Sequence, residues 1–261
     1  MEEFWDVIVL ATLQGVAEFL PISSSGHLVL AQNLLDINKA GMRLELVLHV
    51  GTLFSIILYY RKTILDLILR VFRRDIPALL YAGYIILSTL PALLFYFTCK
   101  EMVERIYENA TVVGCCLILT GILLCLLKWF GKENKNLNAK RSILIGAAQA
   151  VAILPGISRS GSTIAAARLL GVRPDVAAQF SFLMSLPLLA GGALLDFLGF
   201  MGGPSVPGEA LPDSLLWIGA LVSAIVGYIS ISLLVKLLKG GYFWIFGIYC
   251  LIAGTLALVF I

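Results

Sequence analysis

Apolar runs long enough to cross a lipid bilayer follow one another along the whole chain, separated by short polar segments. Residues 77–98, 110–130, 214–238 and 241–261 are uninterrupted, and each predicts a transmembrane helix, because about 20 residues rising 1.5 Å each span the hydrocarbon core. Residues 44–60 and 176–201 predict two further crossings. The pattern is typical of an all-α polytopic membrane protein, with residues 1–261 as a single membrane domain.

Two other apolar runs, residues 7–35 and 143–171, are each interrupted by a short polar stretch. We name residues 21–27 (PISSSGH) the first knot and residues 155–163 (PGISRSGST) the second knot. At membrane depth, non-helical backbone is tolerated only where protein covers it or where it lines a cavity. Both runs therefore predict re-entrant helix-loop-helix segments.

The two knots belong to an internal duplication, with halves at about residues 1–135 and 136–261. If each half holds one re-entrant segment and about three transmembrane helices, the second half enters the membrane from the opposite face, which predicts an inverted-topology repeat. The knots then meet at one polar site that both halves build. Nine residues recur 135 positions later: Gln14, Val16, Ala17, Ile22, Ser23, Ser25, Gly26, Leu34 and Leu35 match Gln149, Val151, Ala152, Ile157, Ser158, Ser160, Gly161, Leu169 and Leu170.

Composition and charge placement agree with a membrane protein, since 60% of residues are hydrophobic and 13% are charged. The net charge of +3 suits membrane orientation rather than nucleic-acid binding, and the five cysteines are interpreted as free packing thiols. Basic loops are expected on the cytoplasmic side, so both termini are predicted outside the cytoplasm. The basic residues are Arg61, Lys62, Arg70, Arg73 and Arg74, then Lys128, Lys132, Lys135, Lys140 and Arg141, and finally Lys236 and Lys239.

Polar residues around the first knot are candidates for chemistry, because an ionisable group at membrane depth is expensive and is retained mainly for function. Gln14 and Glu18 share one helix face at i, i+4, so Glu18 can serve as a general base or hold a cation. Hydroxyl groups, a small backbone and an imidazole follow within one turn, as a phosphate-binding site requires. Either Ser24 or His27 can attack phosphorus. The donors of this knot are Ser23, Ser24, Ser25, Gly26 and His27.

The second knot adds Arg159, whose planar guanidinium suits an oxyanion clamp. It is flanked by small donors, namely Ser158, Ser160, Gly161 and Thr163. Four polar residues within apolar runs lack a companion motif and are interpreted as structural: His49, Gln149, Gln179 and Asp196.

Together these groups match phosphoryl transfer on a lipid with a charged head and a long apolar tail, such as a polyprenyl diphosphate. A transporter or lipid flippase is the main rival, because secondary transporters also use inverted repeats with broken helices. A non-catalytic membrane scaffold is the third class, and it leaves the duplicated polar knots without explanation.

At the two knots the sequence resembles the bacterial undecaprenyl-diphosphate phosphatase family, known for bacitracin resistance. The first signature is present as Gln14, Glu18 and the Ser-Ser-Ser-Gly-His run, and the second covers residues 155–163. Gln14 departs from the glutamate that many members carry, and an amide is neither a base nor a strong metal ligand. Matched position by position, the family's functional assignment falls on Glu18, His27, Ser158, Arg159 and Thr163, with Ser24 as a nucleophile or phosphate ligand.

The resemblance implies hydrolysis of undecaprenyl diphosphate to undecaprenyl phosphate and inorganic phosphate, which recycles the lipid carrier for peptidoglycan synthesis. It also implies a divalent cation, Mg²⁺ or Ca²⁺, with Glu18 as its candidate ligand, and a location in the bacterial cytoplasmic (inner) membrane. The nucleophile stays open between Ser24, His27 and water, and a homodimer is compatible with the sequence.

Overall fold

The computed structural model describes residues 2–35, 42–107, 109–130, 135–202 and 212–260, which contain no β-strand. These residues form eleven α-helices, which also set the labels used below. The helices are α1 (Glu2–Ala17), α2 (Ser24–Leu35), α3 (Met42–Tyr59), α4 (Arg61–Phe72), α5 (Ile76–Tyr107), α6 (Ala110–Leu126), α7 (Ala139–Val151), α8 (Arg159–Leu169), α9 (Pro174–Gly202), α10 (Asp213–Lys239) and α11 (Ile245–Phe260).

Three described helices are long and apolar enough to cross a membrane: α5 through Ile76–Val103, α9 through Pro174–Leu195, and α10. The bent pair α3 and α4 is a fourth candidate span, and α6 and α11 are shorter apolar helices that pack against each other. Large side chains such as Ile86 and Trp217 lie exposed on α5 and α10, which is the surface expected of a protein solvated by lipid. The predicted all-α polytopic membrane architecture is confirmed.

One segment differs from the sequence prediction, which treated the basic stretch after residue 60 as a loop. This stretch forms the helix α4, which bends by 72° from α3. It is strongly amphipathic and buries none of its residues, which is typical of a helix lying along a membrane surface. The prediction missed it because five basic residues within 14 positions outweighed an apolar face at i, i+3, i+4 and i+7, formed by Leu65, Ile68, Leu69 and Phe72.

Both helix breaks occur where the polar knots predicted them. The first lies between the end of α1 and the start of α2, and the second lies between the end of α7 and the start of α8. Phe19, Leu20 and Ile22 anchor the first break in a buried cluster with Phe182 of α9 and Leu234 of α10. The rings of Phe19 and Phe182 meet edge to face at 5.6 Å. Because lipid offers no hydrophobic driving force between helices, this anchoring rests on van der Waals packing.

Parts of three loops that bear on the membrane orientation lie outside the described residues. These are Glu108, residues 131–134 with Lys132, and residues 203–211. The orientation of the chain in the membrane, with both termini outside the cytoplasm, stays a prediction, as does the single-domain assignment.

Candidate active site

The two knots face each other across a cavity of about 200 Å³. Its walls are formed by the end of α1 and the start of α2, by the end of α7 and the start of α8, and by one residue of α3. Polar groups from both knots and apolar side chains line it. The lining residues are Ala17, Glu18, Ser23, Ser24, Ser25, His49, Ala152, Ile153, Ile157, Ser158 and Arg159.

The first knot turns sharply at Ser23, whose backbone adopts a left-handed conformation with φ of 69°. A non-glycine residue in this region is strained, and such strain persists where the surrounding structure enforces it, often at functional sites. The Ser23 hydroxyl accepts a hydrogen bond from the backbone N–H of Gly26 at 3.3 Å, so it caps the start of α2. The turn thereby aims the N-terminus of α2, with Ser24 and Ser25, at the cavity.

The second knot repeats this serine cap at the start of α8. The Ser158 hydroxyl caps the helix by accepting a hydrogen bond from the N–H of Gly161 at 3.0 Å. Thr120 of α6 secures the loop, because its hydroxyl donates to the carbonyl of Gly156 at 3.0 Å and accepts from the N–H of Ser158 at 3.2 Å. Two helix N-termini, each carrying partial positive charge, therefore converge on one cavity, which favours an anion.

Close approach of the two knots depends on a glycine from each. A Cβ added to Gly26 would lie 3.0 Å from the Cα of Gly156. Gly156 itself has φ of 89°, and a Cβ there would lie 2.4 Å from the carbonyl oxygen of Val113. A side chain at Gly26 would therefore push the two knots apart, whereas one at Gly156 would strain the turn and clash with α6.

Glu18 joins the two knots electrostatically. Its Oε1 accepts a hydrogen bond and ion pair from Nη2 of Arg159, which comes from the second knot. Its Oε2 accepts from the hydroxyl of Ser24 at 2.8 Å and from Nε2 of Gln14 at 3.3 Å. The carboxylate is buried, with 6% of its side chain exposed, so these donors replace its hydration.

Two buried polar atoms beside this carboxylate have no hydrogen-bond partner among the described residues: Nη1 of Arg159 and Oε1 of Gln14. An unpaired buried guanidinium N–H costs free energy unless a ligand satisfies it. Arg159 itself lines the cavity, so an anion that enters there is a candidate partner for this N–H.

His27 lies next to the serines but makes its hydrogen bonds away from the cavity. Its Nδ1–H donates to the carbonyl of Ser23 at 2.9 Å, since a carbonyl can only accept. Its Nε2 then accepts from the hydroxyl of Tyr249 at 2.8 Å, and the two rings stack at 5.5 Å. His27 is not among the residues that line the cavity. Tyr249, on α11, carried no sequence signal because it is one tyrosine in an apolar run.

His49, which was interpreted as structural, also borders this cavity. It lies on α3 and lines the cavity together with Glu18 and Arg159. Its Nδ1–H donates to the carbonyl of Glu45 one turn earlier, at 2.8 Å. The sequence signal for His49 is an imidazole within an apolar run. Its neighbours form no recognisable motif, so the sequence offered no reason to assign it a catalytic role.

The other predicted donors surround the cavity at different depths. Ser23 and Ser25 bring their hydroxyl oxygens to 3.4 Å of each other, and Ser158 and Ser160 to 3.3 Å. Thr163 is fully buried behind the cavity wall. Its hydroxyl lies 2.6 Å from that of Ser181 on α9 and donates to the carbonyl of Arg159 at 2.8 Å, so it supports the first turn of α8.

The residues present do not fit a cation held by the protein alone. No group of three or more His, Cys, Asp or Glu side chains able to hold a metal occurs in the described part of the chain. Among the described residues, Glu18 is the one carboxylate on the cavity wall, and both of its oxygens are already bonded. Mg²⁺ is commonly bound through one or two carboxylates together with substrate phosphates. The site therefore fits a cation that arrives with a phosphate ligand.

The arrangement suits phosphoryl transfer. A hydroxyl donates to a buried carboxylate, an arginine presents an unpaired N–H, and two helix N-termini provide positive potential. These are the parts needed to activate a nucleophile and to stabilise the charge on a transferring phosphoryl group.

Comparison with known proteins agrees with this chemistry. The sequence profile of the family described as "Bacitracin resistance protein BacA" matches residues 7–256. A protein of Geobacter metallireducens named "Undecaprenyl-diphosphatase" is 39% identical over 263 residues, covering 97% of this chain and 96% of the relative.

Two further relatives carry similar names. A protein of Methanosphaera stadtmanae named "Undecaprenyl-diphosphatase" is 34% identical over 278 residues, covering 99% of this chain and 98% of the relative. A protein of Bacillus cereus named "Undecaprenyl-diphosphatase 1" is 34% identical over 273 residues, covering 100% of both. The similarity extends over nearly the whole chain in each case.

Proposed function

The chain belongs to the bacitracin resistance protein BacA family, and we propose that it hydrolyses undecaprenyl diphosphate to undecaprenyl phosphate and inorganic phosphate within the membrane. This activity recycles the lipid carrier for peptidoglycan synthesis and confers resistance to bacitracin. Relatives 34–39% identical over almost their full length bear the name of this enzyme.

One observation carries the proposal, namely the contact of Glu18 with Ser24 and Arg159 between two helix N-termini. A hydroxyl hydrogen-bonded to a buried carboxylate is the arrangement of an activated nucleophile. The arginine beside it supplies the charge that a phosphate requires. A protein that only binds lipid phosphate has no need of the hydroxyl–carboxylate pair.

Substrate binding follows from the charges around the cavity. The terminal phosphate enters between the N-termini of α2 and α8, each of which stabilises an anion by about 0.3–2 kcal/mol. It accepts from the unpaired Nη1 of Arg159 and from the hydroxyls and backbone N–H groups of the two knots. The apolar wall formed by Ala17, Ala152, Ile153 and Ile157 lies beside the isoprenoid tail, which stays in the bilayer.

Phosphoryl transfer then begins at Ser24, which we choose over His27 because the hydroxyl lines the cavity and already donates to Glu18. Oγ attacks the terminal phosphorus and passes its proton to Glu18. The bond between this phosphorus and the bridging oxygen breaks, and undecaprenyl phosphate leaves. Arg159 holds the equatorial oxygens, over which the charge of the transferring phosphoryl group is spread in the transition state. Water then hydrolyses the phosphoserine and releases inorganic phosphate.

A divalent cation, Mg²⁺ or Ca²⁺, accompanies the diphosphate in this proposal. When bound, it would neutralise charge on the phosphate oxygens, which would supply most of its ligands, and Glu18 would be the carboxylate beside it. His27 serves a positioning role, since its bonds to Ser23 and Tyr249 fix the turn that presents Ser24.

The inverted-topology repeat is also part of the proposal. Five helices of the first half have counterparts 135 residues later, and eight wall residues of the cavity form four pairs at the same offset. Each half packs its first helix against the other half. Helix α1 packs on α10, and its counterpart α7 packs on α5, which is the counterpart of α10. We place the protein in the cytoplasmic membrane with both termini outside the cytoplasm, from the loop charges. A homodimer stays a prediction.

The test is release of inorganic phosphate from undecaprenyl diphosphate by the purified protein in detergent. Glu18→Gln and Arg159→Ala should lose most activity, and His27→Ala should lose less if its role is positioning. The exposed Glu101→Gln and Arg105→Ala on α5 are matched controls that should retain it. Absence of phosphate release by the wild type with and without Mg²⁺ or Ca²⁺ would refute the proposal.

The same experiment separates the enzyme from its rival. Transport across a membrane has no meaning in detergent, so a flippase would bind lipid phosphate there without releasing phosphate. Phosphate release that depends on Glu18 and Arg159 therefore excludes a protein that is only a transporter.

A further inference from the structure

We propose that His49 is a catalytic residue of this site and that its Nε2 takes the proton from the water that hydrolyses the phosphoserine. The inference rests on the proposed function and goes beyond it by assigning the second half of the reaction. It is carried by the position of His49 on the wall of the cavity that holds Ser24 and Glu18.

The hydrogen bond of His49 fixes which ring nitrogen can exchange a proton. Nδ1 lies 2.8 Å from the carbonyl oxygen of Glu45, and because a carbonyl can only accept, Nδ1 carries a hydrogen. In the neutral ring, Nε2 therefore has the free lone pair, which is the state of a general base. The backbone bond also holds the ring in one orientation on α3.

His27 is the other histidine of the chain, and both of its ring nitrogens already take part in hydrogen bonds, so neither is free to accept a proton from water. Its Nδ1–H donates to Ser23 and its Nε2 accepts from Tyr249. Its ring also stacks on Tyr249, outside the set of residues that line the cavity. Of the two imidazoles, His49 is the one that borders the reacting groups.

In the first step as proposed above, no group removes the proton that Glu18 takes from Ser24, so Glu18 enters the second step protonated. After the first step Glu18 holds the proton taken from Ser24, and it must return that proton to Oγ as the serine leaves phosphorus. It therefore acts as an acid at the moment when water needs a base. In this step a bond forms from the water oxygen to phosphorus and the bond from Ser24 Oγ to phosphorus breaks. The water proton passes to His49 Nε2, which later releases it to solvent.

The experiment compares His49→Gln and His49→Ala with wild type in detergent, using undecaprenyl diphosphate as substrate. A general base contributes about 10²–10⁴-fold, so we expect kcat to fall by at least about 100-fold in His49→Gln. Because the first step remains intact, His49→Gln should accumulate one phosphoryl group on Ser24, detected by mass spectrometry of the intact protein and its peptides. Added imidazole should restore part of the turnover of His49→Ala, whose truncation leaves room for it.

Controls keep the outcomes distinct. Phe54→Leu, on the exposed side of α3, should match wild type, and gel filtration with thermal unfolding checks that each variant is folded. Wild-type turnover in His49→Gln would overturn the inference, as would lost turnover without phosphoserine. In either case the phosphatase assignment survives, whereas an inactive wild type would refute the assignment itself.

Discussion

Replacement of Arg159 by lysine separates the charge of this residue from its shape. Nη2 pairs with Glu18, while Nη1 is buried without a partner among the described residues. Lysine retains one positive charge beside the carboxylate but offers a single nitrogen in place of the fork. The variant therefore loses the donor that is free for phosphate and keeps the charge that stabilises the folded protein.

The magnitude follows from the number of donors lost. A hydrogen bond to a charged group contributes about 1.5–3 kcal/mol. If the Nη1 bond forms fully only in the transition state, its loss lowers kcat/KM by about 10- to 150-fold, at 1.36 kcal/mol for each factor of ten. Arg159→Ala should be worse in a different way. It leaves the buried Glu18 carboxylate unpaired, which costs about 3–5 kcal/mol of stability.

The assay measures kcat/KM for phosphate release together with thermal unfolding in detergent. We expect Arg159→Lys to unfold near the wild-type temperature with low activity, and Arg159→Ala to unfold at a lower temperature. Arg105→Lys, at an exposed position on α5, should match wild type in both measurements. Near-normal kcat/KM in a folded Arg159→Lys protein would show that no bidentate arginine contact supports the transition state.

Three further outcomes are expected. Ser24→Ala should abolish turnover and phosphoserine formation while leaving the protein folded, because it removes the hydroxyl bonded to Glu18; retained turnover would exclude a serine nucleophile. Gly156→Ala should lower the free energy of unfolding by at least about 1–3 kcal/mol, because this residue has φ of 89° and the added methyl group would meet the Val113 carbonyl. The matched control is Gly83→Ala, which should be neutral or slightly stabilising because no atom lies within 4 Å of the added methyl group. Equal unfolding temperatures for these two variants would contradict the packing of the second knot. A chelator should stop phosphate release without changing the unfolding temperature, since no metal cluster occurs among the described residues; a lowered unfolding temperature would indicate a structural metal.

Much of this protein could be read from the order of its residues, because a bilayer restricts what a chain can do. Backbone polar groups must be satisfied within lipid, so long apolar runs predict helices and polar interruptions predict breaks that line a cavity. The breaks before Ser24 and Arg159 were predicted for this reason. The duplication was predicted from the residues that recur 135 positions later, and the candidate roles of Glu18 and Arg159 from the cost of an ionisable group at membrane depth. The family resemblance, shown by the comparisons, supplied the substrate.

Other features depended on contacts between residues far apart in the chain. The sequence did not indicate that Arg159 pairs with Glu18, 141 positions earlier, or that Thr120 secures the second knot. His27 was predicted to be catalytic because it lies in the first knot, and His49 was interpreted as structural because no motif surrounds it. In the folded protein α3 carries His49 to the cavity wall, while Tyr249 of α11 binds His27. Local pattern determines where a helix begins and ends, but the packing of one helix against another decides which side chains share a cavity.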